Sequence, residues 1–141
     1  MGTWNPHPIV ERTDPVFSLA GEKLVEAVQE GFYFSSFQHV AKAYNVTLEA
    51  LAASLGIASS TMNRRKKKGV LEMDESDKLA SFVQTMRLAE KVLGDKDRVQ
   101  RWMQRPNPAL GSKKPMGLLS TMAGFKEVEN TLLAIEHGIF L

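Results

Sequence analysis

Residues 47–69 read TLEALAASLGIASSTMNRRKKKG, and the reading of this stretch decides how the rest of the chain is understood. Leu48, Leu51 and Leu55 recur at three- and four-residue spacing, which predicts one buried face of a short helix over about 47–55. Ala52 is small where a neighbouring helix must come close, and Gly56 supplies a tight turn. A second helix over about 58–68 follows, pinned inward by Ile57 and Met62. On that helix Ser60, Asn63, Arg64 and Lys67 stand at i, i+3, i+4 and i+7, so they share one outward face. Five consecutive cations, Arg64, Arg65, Lys66, Lys67 and Lys68, run into Gly69.

These residue types suit a polyanion. Arg can pair bidentately with guanine, Asn with adenine, and a hydroxyl with either, while lysines neutralise phosphates. The candidate DNA contacts are Ser59, Ser60, Thr61, Asn63, Arg64, Arg65, Lys66, Lys67 and Lys68. A plainer reading stands beside this one, because cations near a helix C-terminus are favoured by the helix dipole and need no ligand.

Charge distribution supports the first reading. The net charge of 141 residues is +2, but it is unevenly spread. Residues 1–34 set Arg12 and Lys23 against five carboxylates, giving −3. Residues 35–71 set Lys42 and the five-cation run against Glu49, giving +5, and residues 72–141 are balanced. Local charge is what a polyanion meets.

Working outward, the chain reads as all-α, since no segment alternates apolar and polar with period two. Residues 1–17, with Pro6, Pro8 and Pro15, read as an irregular arm. Ser18 is the expected cap of a helix to about Glu30, stopped by Gly31, and Ser35 or Ser36 opens another that buries Phe37, Val40, Ala41 and Tyr44. Asp74 is the expected cap of a longer helix to Leu93, with Leu79, Phe82, Val83 and Met86 at core spacing. Asp95 begins a helix carrying Val99, Trp102 and Met103, which Pro106 ends. PNPALGSKKP, residues 106–115, is a loop, and the last helix runs over about 124–137 with Phe125, Val128, Leu132 and Ile135 inward. The organisation expected is an arm and helix over 1–34, a DNA-reading module over 35–71, and a small helical domain over 72–141.

Several function classes find no support. There is no cysteine, hence no disulfide or thiolate site, which suits a reducing cytoplasm. No apolar window is long enough to span a membrane, and the N-terminus lacks the form of a secretory signal. His7, His39 and His137 lie far apart, so a metal site is not expected. Acidic clusters at 72–77 and 95–97 sit at helix starts, where carboxylates act as caps. No phosphate loop, nucleophile elbow or dinucleotide fingerprint occurs, and neither an enzyme nor a cofactor is expected.

Two resemblances go further. Ala52, Gly56, Ile57 and Met62 occupy the small, turn and apolar places of the helix-turn-helix of the Xre group of bacterial regulators. Lys66 departs from it, standing where relatives often keep an apolar residue, which leaves the last turn loosely packed or projecting away. Then come GVLEMDESDKL (69–79), AEKVLGDKDRVQRWMQRPNPALGSKKPMGLL (89–119) and EVENTLLAIEHGIF (127–140). In that order and spacing the chain resembles the Xre/MbcA/ParS family of antitoxins, from about Phe37 to the end. The resemblance implies a toxin-binding C-terminal domain and, as partner, a RES-domain toxin that degrades NAD. It also implies repression of the paired operon through operator DNA. The family's C-terminal segment closes the toxin's substrate pocket, and the matching residues here are Glu136, His137, Gly138, Ile139, Phe140 and Leu141. From composition alone, a loose apolar tail of this kind is usually tucked against its own core. A free-standing regulator whose C-terminal half only dimerises is the alternative function. One short recognition helix reads few base pairs, so a homodimer is expected in either case.

Overall fold

The computed structural model describes residues 13–138. Pro6, His7 and Pro8 of the expected arm, and Ile139, Phe140 and Leu141 of the expected tail, lie outside the described residues.

The first helix is a correction to the sequence reading. The Val16 amide donates to Asp14 Oδ1 at 3.0 Å, and Pro15 occupies the first turn, so α1 (Pro15–Ser18) forms ahead of the expected start. Ser18 therefore closes α1 instead of capping α2 (Gly21–Glu30), which follows Ala20. The next helix, α3 (Phe34–Ala43), opens just before Ser35, because Tyr33 is held extended in a bridge to Val70 and the Phe34 amide donates to the Gly69 carbonyl at 2.9 Å. Ser36 is buried, and its hydroxyl donates to Asp14 Oδ1 at 2.8 Å. His39 Nδ1 meets the other oxygen of Asp14 at 2.6 Å. Asp14 thus ties the start of the described chain to α3, and His39 is a satisfied histidine.

α4 (Leu48–Ser54) is capped by Thr47, whose hydroxyl accepts from the Ala50 amide at 3.0 Å. α5 (Ser59–Lys68) ends at Gly69 in the left-handed conformation. The long α6 (Met73–Leu93) is capped by Glu72, not by the expected Asp74. Glu72 and Glu75 form a reciprocal capping box, which satisfies two backbone donors where Asp74 would satisfy one. Asp95 caps α7 (Lys96–Met103), which stops well before Pro106. Two 3₁₀ turns, Pro108–Leu110 and Pro115–Leu118, lead to α8 (Met122–Glu136), capped by Thr121. Among the described residues there is no strand, only two isolated bridges, so the all-α reading holds.

α6 is the axis of the molecule. Its 21 residues span roughly 31 Å, and α1, α2, α3, α7 and α8 all pack against it. Leu79, Phe82, Val83, Met86 and Ala89 are buried along it, and Tyr44 meets Phe82 edge-on with centroids 5.8 Å apart. Arg87 reaches back to the Phe17 carbonyl at 2.6 Å, which fastens α1 to the axis. No helix of the described residues is long and apolar enough to cross a membrane.

Gly31 turns the chain from α2 toward the core at φ 89°, a value open mainly to glycine. A Cβ there would run into the Leu71 carbonyl, whose own amide donates to Phe32 O at 2.8 Å. Gly31→Ala should therefore lower unfolding free energy by about 1–3 kcal/mol, measured by urea denaturation. Gly21→Ala shares the positive φ but meets nothing within 4 Å, so it separates backbone strain from the clash. Equal losses in the two variants would contradict the close-approach account.

Candidate functional site

α4 and α5 form the helix-turn-helix that the opening stretch predicts. Leu51, Ala52, Leu55, Ile57 and Met62 are buried between them and the rest of the core, and Gly56 makes the turn at φ 72°. The outward face of α5 presents Ser60, Asn63, Arg64 and Lys67, all exposed. Arg64 Nη2 donates to Thr61 Oγ1 at 3.2 Å, which leans the guanidinium back along the helix. Ser59, Lys66 and Lys68 are exposed beside this face, and Thr61 is partly buried.

Arg65, also among the candidate contacts, sits in a different environment from the other cations of the run. Its side chain points into the protein, and Nε donates to Glu75 Oε1 at 2.7 Å. The two side chains are only 16% and 7% exposed, so this pair is largely withdrawn from water. The same Glu75 oxygen accepts the Glu72 amide at 2.8 Å, so one carboxylate closes the α6 capping box and holds α5. That hydrogen bond, reinforced by the charges of Glu75, Glu72 and Asp74, raises the Arg65 guanidinium above its ordinary pKa despite partial desolvation. Lys68 Nζ also meets Glu72 directly, at 3.1 Å, but both side chains are exposed, so the pair gains little and Lys68 stays at the surface. Nothing in the spacing of residues 65 and 75 announces this strut. A half-buried cation held against a carboxylate ten positions away is created only by packing.

Lys66 also answers an expectation. It stands out in solvent, yet α5 continues regularly through Lys68, because Arg65 supplies the anchor that an apolar residue at 66 would have given. What a lysine at 66 leaves open is a groove of about 410 Å³ between α4 and α5, floored by Ala52, Ile57 and Met62 and rimmed by Glu49 and Lys66.

The angle of α5 is set from the other half of the chain. Lys78 Nζ, on α6, donates to the Leu55 carbonyl at 2.9 Å, and the Gly56 turn lies so close to Ser120 that a Cβ would stand 3.0 Å from the serine Cβ. The helix-turn-helix therefore leans on α6 and on the loop that opens α8.

At the far end, Glu136 closes α8 and pairs with Lys91 of α6 at 3.4 Å. His137 is the C-cap and Gly138 takes φ 73°, so the chain leaves the helix where the sequence places its stop. The other three tail candidates, Ile139, Phe140 and Leu141, are outside the described residues. The C-terminal half also carries a groove that sequence reading does not single out. Leu93, Trp102, Pro106 and Pro108 line about 360 Å³ of space flanked by Arg98, Arg101 and Arg105. The i, i+3, i+7 spacing of those arginines is the available signal.

The roles separate by substitution. Arg65→Ala should leave Glu75 buried without its cation and destabilise the fold by about 1–3 kcal/mol, whereas Arg64→Ala and Lys67→Ala should change thermal unfolding little. Melting curves that rank Arg64→Ala as the more damaging would overturn the strut.

Comparison with known proteins agrees with this layout. Residues 23–84 match the model described as the antitoxin Xre-like helix-turn-helix domain, and residues 88–138 match the antitoxin Xre/MbcA/ParS C-terminal toxin-binding domain, so the two matches meet inside α6. Antitoxin Xre of Yersinia enterocolitica is 30% identical over 122 residues, covering 85% of this chain and 82% of the relative. Antitoxin Xre of Photorhabdus laumondii is 41% identical over 86 residues, covering 60% of this chain and 58% of the relative. A Prs ADP-ribosylating antitoxin of Sphingobium is 23% identical over 126 residues, covering 82% of this chain and 79% of the relative. With a helix-turn-helix whose reading face stands clear, a toxin-binding domain built on the same central helix, and a relative matched over most of both lengths, the chain belongs to the Xre family of type II antitoxins.

Proposed function

We propose that this antitoxin neutralises a RES-domain toxin that degrades NAD, in the cytoplasm, and represses its own operon through α5. The observation that carries the DNA half is the outward face of α5. Ser60, Asn63, Arg64 and Lys67 are exposed together, while Arg65 is retained as an internal strut. Asn63 and Arg64 are the base readers, with Ser59, Ser60 and Thr61 near the helix start, and Lys66, Lys67 and Lys68 hold phosphates. One recognition helix covers few base pairs, so two copies bind half-sites about 34 Å apart. On the toxin side, the family's toxin-binding domain and the resemblance of the C-terminal segment support inhibition by Glu136 to Leu141. The Sphingobium relative's name ties that antitoxin to ADP-ribosylation, a chemistry that also consumes NAD. In a toxin's pocket Ile139 and Phe140 would each contribute roughly 1.5–3 kcal/mol through burial.

Two experiments test the two halves separately. Operator binding measured across a salt series should weaken with a log–log slope of about −0.9 per phosphate neutralised. Replacing Lys66, Lys67 and Lys68 with Ala should flatten that slope by about 0.9 for each phosphate no longer neutralised, while sequence preference is largely retained. An unchanged slope removes the lysines from the DNA interface. For the toxin half, growth and cellular NAD are followed in bacteria expressing the operon's toxin with the full chain or with the chain lacking Gly138 to Leu141. Rescue of both readouts by the full chain alone is the expected result. Full rescue by the truncated chain would place inhibition elsewhere on the surface. Restored growth with NAD unaffected by the toxin alone would replace the RES class with another toxin.

A further inference from the structure

α2 is the least covered long helix of the described residues. Leu24, Ala27 and Val28 turn toward the core, but none of its ten residues is fully buried. Its other side is acidic. Glu22, Glu26 and Glu30 recur every four residues, so they form a row about 12 Å long, and all three are exposed. Between the first two, on the same open side, Val25 is 55% exposed. No ion pair or hydrogen bond engages the three carboxylates within the described residues.

The groove beside α7 has the opposite character. Arg98, Arg101 and Arg105 flank it, and its apolar lining is Trp102, Leu93, Pro106 and Pro108. Arg98 is partly engaged, lying 3.8 Å from Asp95, but the guanidiniums of Arg101 and Arg105 have no partner within the described residues. Arginine beside a half-buried aromatic is the composition that protein interfaces favour, and complementary charge fixes which surfaces meet.

We propose that the acidic side of α2 docks on the arginine-flanked groove of a second copy, with Glu22 and Glu26 facing Arg101 and Arg105 and Val25 entering the slot beside Trp102. The argument is complementarity in both charge and polarity. A row of unpaired carboxylates with one exposed aliphatic side chain meets unpaired guanidiniums around one apolar slot. In a twofold pair each copy gives its α2 and receives its partner's, so the contact is made twice. This rests on the dimer reading above and names the surface that makes it.

The test uses the full chain and two double charge reversals, Glu22→Lys/Glu26→Lys and Arg101→Glu/Arg105→Glu. All four side chains are exposed, so melting temperatures should stay near the parent value. Mass is measured by sedimentation velocity against concentration. Each reversal alone should weaken self-association at least about tenfold, since it sets like charges against each other. An equimolar mixture of the two should restore the dimer, because one contact is then native and the other is inverted but still attractive. A parent dimer that survives both reversals overturns this contact and leaves the dimer reading standing. A parent chain that is monomeric at every concentration overturns both. Failure of the mixture to restore the dimer, with loss of toxin or DNA capture instead, assigns the groove to that partner and also overturns the proposal.

Discussion

The burial of α6 is the constraint on which the rest of the structure depends. A helix of 21 residues carrying Leu79, Phe82, Val83, Met86 and Ala89 must be covered along its whole length. The flanking helices are too short to be stable alone, since isolated helices of this size are marginal in water. They form because α6 gives their apolar faces something to bury against. This makes the DNA-reading and toxin-binding parts share a core instead of merely adjoining, and it explains why the two family matches meet within the helix itself.

Placement of the reading helix follows from that sharing. α5 buries only Met62 among its ten residues, so apolar packing alone would hold it weakly. Two polar connections to α6 compensate, Arg65 to Glu75 at 2.7 Å from α5 itself and Lys78 to the Leu55 carbonyl at 2.9 Å at the end of α4 that leads into the turn. Both are made by long side chains whose stems pack while their heads find fixed acceptors. A pair so withdrawn from water is weak evidence for stability, but removing either partner is costly. Its consequence here is orientation. The strut turns one cation of the run inward and thereby leaves the others outward.

Legibility differs from element to element for physical reasons. Helices punctuated by strong local chemistry read closely, such as α4 with Gly56 at its turn, α7 with Asp95 at its start, and the end of α8 near 137. Where two caps compete, the local signal misleads. Ser18 yields to Asp14–Pro15, because a carboxylate followed by proline starts a turn earlier, and Asp74 yields to the reciprocal Glu72–Glu75 box. Ser36 reads as a helix opener but donates to Asp14, a partner 22 positions away that no local pattern reveals.

By itself the sequence determined the helical class, the helix-turn-helix and its outward row Ser60, Asn63, Arg64 and Lys67, since periodicity and glycine punctuation are local properties of the chain. Five adjacent cations, however, look alike in a string of letters. Only tertiary structure decided that Arg65 is a strut, that Lys66 stands in solvent beside a groove, and that Lys68 pairs with Glu72 at the exposed surface. The same is true of the arginines around Trp102, whose partnerless state among the described residues depends on what does not pack against them. The physical reason is the same in each case. A charge's role is set by its surroundings, and those are assembled from residues distant in the chain.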